Sequence, residues 1–242
     1  MKLNICHLYP DVLNLYGDTG NILCLQKRLS WRGIDCEVTK LPIGKNDDFS
    51  RFDLFFIGGG QDFEQEVLLR DLHSGKAREI LSAVNDEKVF LCICGGYQMM
   101  GQYYKLQSGR QLDFIGAINM HTEGSESRLI GNYMFRCGEE NGGSLVVGFE
   151  NHSGKTYLDE GVSPLGQVLS GYGNNGEDGG EGVRHKNVFG SYCHGPMLPK
   201  NPEFADLLLQ TALSRRYPEV LLPPLNDALE VSAHDYMAKR LG

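Results

Sequence analysis

The residues best equipped for covalent chemistry lie in the run FLCICGGYQMMG, positions 90–101, with Cys94 at its centre. Val89 to Ile93 form an apolar run of the length expected for a fully buried parallel strand. Two glycines follow the cysteine, and Tyr97, Gln98, Met99 and Met100 can then start a helix. A strand that breaks sharply into a helix through glycine lifts one side chain above the sheet edge. The first free N–H groups of the helix then point at that side chain. For a thiol, this setting favours the nucleophilic thiolate, so the run reads as a cysteine nucleophile elbow.

A cysteine nucleophile needs a base and donors for an oxyanion. His194, in VFGSYCHGP, ends another strand-like run, with Gly195 and Pro196 stopping the strand directly after it. His152, in GFENHSGKT, competes for the base role, followed by His7 and His185. The backbone N–H of Gly95 is one candidate oxyanion donor. The Gly58-Gly59-Gly60 turn offers Gly59 and Gly60 as a second source, because absent side chains let the backbone approach a substrate. Cys92 and Cys94 have the C-x-C spacing and Cys193 adjoins His194, but the elbow turns Cys94 off the face it would share with Cys92. No metal site is therefore expected.

The surrounding elements predict how these residues meet. Lys2–Leu8, 34–41, Asp53–Ile57 and Val89–Ile93 read as strands. Helices are expected over about 20–31 and, as one long element, about 62–84. This alternation predicts an α/β fold, a mostly parallel sheet flanked by helices, with its reactive edge at the strands' carboxyl ends. The loop after the first strand, the triple glycine and Cys94 should converge there. Shorter alternating strands from Phe114 to about Val168 suggest an antiparallel extension. Residues 171–182, GYGNNGEDGGEG, read as a mobile surface hairpin. Val188–Cys193 reads as a further strand, Asn201-Pro202 opens a helix running to about Ser214, and a last helix covers about 226–239. With no linker or repeat, residues 1–242 read as a single domain.

Composition narrows the partners. Hydrophobic residues make up 41% and charged residues 22% of the 242, as in ordinary globular proteins. A net charge of −8 speaks against nucleic acid or an anionic membrane surface. No stretch is long and apolar enough to span a bilayer, and MKLNICHLYP lacks a signal-peptide pattern, so no membrane insertion is expected. The seven scattered cysteines fit a reducing cytoplasm better than a disulfide framework.

Taken together, FFIGGGQD, CICGGYQ and YCHGP resemble the class I glutamine amidotransferases, in the branch that includes cobyric acid synthase (the CobB/CobQ type). LNLYGDTGN, VGFENHSGKTY, GYGNNGED and HGPMLPKN extend the resemblance over nearly the whole chain, toward the GatD-type glutaminase subunits of lipid II isoglutaminyl synthase. The resemblance implies that Cys94 attacks the side-chain amide of L-glutamine. His194 would protonate the departing ammonia and then activate water, with a glutamyl thioester between the two steps. It also implies Gln98 as a glutamine-binding position and Arg128 as the residue holding the substrate α-carboxylate. The glutamate usual two residues after the histidine is replaced by Pro196. Asp18, Glu150 or a carboxylate from a partner subunit could take its place. The implied partner is a Mur-ligase-like (MurT-type) synthetase subunit that acts on lipid II. ATP and Mg are expected there, because the chain has no GxxxxGK[ST] motif and no cofactor of its own is implied.

Three other readings remain open at this stage. The chain could be a glutaminase subunit for another synthetase, of cobyrinate or pyridoxal phosphate type. It could be a non-catalytic binding module on the same fold. It could also be a cysteine hydrolase of another substrate.

Overall fold

The computed structural model describes residues 1–60, 62–138 and 143–242. Its first sheet is assembled from β1 (Lys2–Leu8), β2 (Asp35–Leu41), β3 (Leu54–Ile57), β4 (Val89–Ile93), β11 (Val183–His185) and β12 (Val188–Ser191). The strand order is β2-β1-β3-β4-β12-β11, parallel throughout except for the edge pair β11/β12. LFFI and VFLCI are buried at every position, which is why these strands read as unbroken apolar runs. Phe55 and Phe90 stack across them, with centroids 4.5 Å apart. Helices α1 (Thr19–Trp31) and α5 (Pro202–Arg216) pack on strands of this sheet, α3 (Ala77–Asn85) packs on the turn at Phe49–Arg51, and α2 (Asp62–Asp71) and the C-terminal helix α6 (Ala228–Leu241) reach the second sheet.

The long helix expected over 62–84 is interrupted. A wide turn at Leu72–Lys76 separates α2 from α3, and Gly75 adopts φ 134°, a value helical residues do not take. Gln61, within the motif FFIGGGQD, lies outside the described residues.

The antiparallel extension is a second sheet, built on two strands much longer than expected: β7 (Met120–Cys137) and β8 (Ser144–Leu158). It also holds β5 (Tyr103–Lys105), β6 (Gln111–Asp113), β9 (Gly166–Ser170) and β10 (Gly180–Glu181). The β7/β8 register breaks between Gly124 and Leu129, and Arg128 sits in that break. The two sheets meet at the reactive edge, where the His194 N–H donates to the Phe149 carbonyl at 2.8 Å.

The loop at 171–182 is not a free surface hairpin. The Tyr172 and Gly173 N–H groups donate to Glu150 at 2.8 and 3.0 Å, and Asn174 and Asn175 are fully buried. Asn174 exchanges hydrogen bonds with the backbone of Gly182 and accepts one from the Tyr97 hydroxyl. Gly and Asn supply the tight backbone here, and the same composition reads as solvent-exposed when seen alone.

Candidate active site

Cys94 follows β4 directly and opens α4 (Gly95–Gln98) with φ 48° and ψ −107°, outside the regions open to an L-residue without strain. Several contacts hold it there. Its N–H donates to the Ser191 carbonyl at 2.8 Å, and the Gly96 N–H donates to Gly58 at 3.1 Å. A Cβ at Gly96 would lie 2.7 Å from Ile57 Cγ2 and 2.8 Å from the Gly58 carbonyl oxygen, so only glycine allows α4 to sit against the end of β3. Because α4 is a single turn, it contributes little dipole. The positive partner of the sulfur is a histidine instead.

That histidine is His194, three residues past the end of β12 and fully buried. Its Nδ1 lies 3.4 Å from Asp18 Oδ1, and its Nε2 is buried without a hydrogen-bond partner. Burial works against the imidazolium, but the Cys94 sulfur and the Asp18 carboxylate outweigh it and push the His194 pKa up to about 10.

Gly59 packs between the three side chains. A Cβ there would stand 2.5 Å from His194 Cε1, 3.1 Å from Asp18 Oδ2 and 3.3 Å from Cys94 Cβ. The Gly59 N–H, expected to face an oxyanion, instead donates to Asp18 Oδ2 at 2.7 Å and fixes that carboxylate. Gly95 follows Cys94 directly, and Gly60 follows Gly59 in the chain.

The structure separates the two carboxylates considered for His194. Asp18 stands beside the imidazole. Glu150 faces the other side of β8, where it accepts the loop N–H groups of Tyr172 and Gly173 and lies 3.7 Å from His152 Nε2. The alternation of β8 explains the split: Phe149 and Asn151 face Tyr16, whereas Glu150 and His152 face the interior.

The other histidines stand elsewhere. His152 stacks flat on Tyr192 at 3.5 Å. His185 lies at the sheet end opposite Cys94, in register with Val188. His7 is buried beside Phe56, and burial together with the Lys40 charge lowers its pKa to about 4. Cys92 is sealed within β4, where burial pushes its thiol up. Among the described residues, no cluster of three or more His, Cys, Asp or Glu could hold a metal. No described helix is long and apolar enough to cross a membrane.

Gln98 is buried at the seam between the sheets, and its amide nitrogen donates to the Tyr192 hydroxyl at 2.9 Å. Because that donor can only donate, the Tyr192 proton passes on to Thr156 Oγ1 at 2.6 Å. Arg128 is exposed, with its Nε on Asn151 Oδ1 at 2.7 Å. Asn151 in turn donates to the hydroxyl of Tyr16, whose ring lies edge-on 4.9 Å from His194.

A strained cysteine and a buried histidine–carboxylate pair at the carboxyl edge of a parallel sheet suit amide-bond cleavage through a thioester. The family comparison decides the class, since the CobB/CobQ-like glutamine amidotransferase domain model matches residues 4–202. The chain belongs to that family. It is 41% identical over 230 residues to the GatD subunit of lipid II isoglutaminyl synthase (glutamine-hydrolyzing) of Streptococcus pneumoniae, covering 94% of this chain and 87% of that protein. It is 42% identical over 215 residues to the corresponding GatD subunit of Staphylococcus aureus, covering 89% of this chain and 86% of that protein. In fold, it resembles a chain of the PurLQS structure from Thermotoga maritima, with a TM-score of 0.62 at 16% identity over 89% of this chain and all of that one.

Tyr16, Asn151 and Tyr192 were not among the expected site residues. LNLYGD flagged the first of them, as a loop at the end of the first strand. The other two become visible only through strand pairing.

Proposed function

We propose that this chain is the glutaminase subunit of a lipid II isoglutaminyl synthase. The observation carrying the reading is Cys94 held at positive φ beside the buried His194–Asp18 pair. The Cys94 sulfur attacks the side-chain carbonyl carbon of L-glutamine, and the resulting oxyanion is held by the Gly95 N–H with Gly60 adjacent. The C–N bond breaks as His194 passes its proton to the nitrogen, releasing ammonia and leaving a glutamyl thioester. His194, now neutral, takes a proton from water; the hydroxide oxygen bonds to the acyl carbon, and the C–S bond breaks to give glutamate. Asp18 fixes the imidazole through Nδ1 and stabilises its charged form.

The released ammonia goes to a synthetase subunit of Mur-ligase type (MurT-like), which amidates the α-carboxylate of D-glutamate in lipid II to D-isoglutamine. Activation of that carboxylate by ATP and Mg²⁺ is assigned to the partner. The high identity to two GatD subunits over most of both chains favours this acceptor over a cobyrinate or pyridoxal phosphate system.

The test is an assay of ammonia and glutamate from glutamine, run with and without the synthetase subunit, together with analysis of the lipid II product. Equal yields of the two products, and amidated lipid II with both subunits present, are expected. A folded chain that releases neither product under either condition contradicts the reading.

A further inference from the structure

The acidic run at 171–182 carries a buried carboxylate that the mechanism does not use. Glu181 ends β10, where the chain crosses from the second sheet to the first, and it is fully buried. Three donors converge on its Oε1: the Ser191 hydroxyl at 2.7 Å, the Tyr192 N–H at 2.9 Å and the Tyr133 hydroxyl at 3.1 Å. Its Oε2 is buried without a hydrogen-bond partner. Burying a carboxylate is costly, and three neutral donors offset that cost only in part.

Two of these donors lie on the segment that joins the halves of the active site. β12 ends at Ser191, so the next backbone N–H groups leave the sheet ladder and need other acceptors. Glu181 takes the Tyr192 N–H directly. It also orients the Ser191 hydroxyl, whose oxygen accepts the Cys193 N–H at 2.9 Å. The His194 N–H goes to the Phe149 carbonyl, and the Ser191 carbonyl accepts the Cys94 N–H. One carboxylate thus sets the path of residues 191–193, with the nucleophile tied to one end of that path and its base attached to the other.

We propose that Glu181 is a positioning residue for glutamine hydrolysis, holding residues 191–193 so that His194 meets Cys94, and that it must be ionised to do so. The inference rests on the glutaminase reading and adds a control on that same site. Ionisation matters because charge-assisted hydrogen bonds are the stronger ones, and a neutral carboxyl would hold three donors on one oxygen less tightly. Burial, reinforced by the Glu150 carboxylate, raises the Glu181 pKa to about 7 against the pull of the three donors. The titratable groups around it are Glu150 from β8, itself 3.7 Å from His152, Tyr133 from β7, Tyr97 from α4, and Tyr192 and Cys193 beyond β12. Burial pushes the three phenols and the Cys193 thiol up, so they stay neutral while Glu181 titrates. Glu181 is charged above about pH 7 and neutral below it, so the active geometry is gained as pH rises through that value.

The test follows kcat and KM for L-glutamine over about pH 5.5–9 in the complex with the synthetase subunit. Alkylation by iodoacetamide, read at the Cys94 peptide, is followed over the same range. Wild type, Glu181→Gln and Ser191→Ala are compared. Wild type should show an acid limb near pH 7 in both kcat and alkylation rate. Glu181→Gln keeps the side-chain shape and removes the charge. It should lose about 10- to 100-fold in kcat above the limb, keep KM within about twofold and show no limb. Ser191→Ala cuts only the link to Cys193, so it should lose about three- to tenfold in kcat and retain the limb. A wild-type complex without that limb, a folded Glu181→Gln enzyme that still shows it, or Ser191→Ala with wild-type kcat would overturn the proposal. A complex whose Cys94 is alkylated along the expected limb but which releases no glutamate would instead remove the glutaminase reading alone.

Discussion

Two of the buried charge clusters in this molecule are built on opposite plans. In the first, Arg28 of α1 donates to both oxygens of Asp206 at 2.7 and 2.8 Å and to both oxygens of Asp227 at 2.8 Å. Arg32 completes it through Asp206 and the Pro223 carbonyl. This cluster ties α1 to α5 and to the segment leading into α6, and every guanidinium edge is matched by a planar acceptor. In the second, Cys94 is strained, the Asp18 contact to His194 is long at 3.4 Å, and His194 Nε2 has no partner. Complete pairing anchors helices, whereas the incomplete set leaves one buried nitrogen unmatched, the atom to which the proposed mechanism gives the proton transfer.

Breaking the two clusters should therefore give different phenotypes. Cys94→Ala is expected to reduce glutamine hydrolysis by at least about 10³-fold. Its denaturation midpoint should stay close to wild type, because alanine loses only the sulfur and keeps the backbone hydrogen bond from residue 94 to Ser191; kinetics and a urea melt check both halves. Asp18→Asn should lower kcat by on the order of 10²- to 10⁴-fold, as expected when an imidazole loses the carboxylate that sets its tautomer. It should also move the alkaline limb of the pH–rate profile to lower pH. Asp18 helps hold His194 protonated up to about pH 10, and in the proposed mechanism that proton is the one given to the leaving nitrogen. An unmoved limb would mean that Asp18 does not govern His194.

Arg28→Met should do the reverse, leaving activity per folded molecule intact while costing stability. About 2–4 kcal/mol is expected, below the range for fully enclosed pairs. The reduction follows from the side chains of Asp206 and Asp227, which are 27% and 20% exposed. Denaturant titration reads this directly.

The smallest effect concerns pH and stability. The His194 pKa is raised from 6.5 to about 10 in the folded protein. Its contribution is therefore fully present below pH 6.5 and fades as pH rises toward 10. Cys94→Ala removes the largest raising influence, so its stability should fall less steeply across that window. An identical slope in both proteins would place the raising charge elsewhere.

How much of this could be read from sequence follows the same division. Cys94, His194 and the glycine turn were legible because apolar strands ending in glycine announce both their direction and their reactive edge. Asp18 and Glu150 could not be separated, since that required knowing which face of β8 meets the first sheet. Tyr16 and Asn151 come together from positions 135 residues apart, and their link depends on the β7/β8 pairing and the break at Arg128. The buried loop around Asn174 and Asn175 was misread for a related reason: polar turn residues look solvent-exposed until the groups they satisfy are known. The Gly75 interruption was the reverse case, a local signal outweighed by a long amphipathic pattern.

The most direct test of the central claim is labelling by a diazo-ketone analogue of glutamine, followed by intact mass and peptide mapping, with the synthetase subunit present and absent. The account predicts a single adduct on Cys94, suppressed by excess glutamine and absent in Cys94→Ser. Folded wild-type protein that takes no label in either condition, or takes it on another cysteine, would contradict the assignment of Cys94 as a glutamine-directed nucleophile.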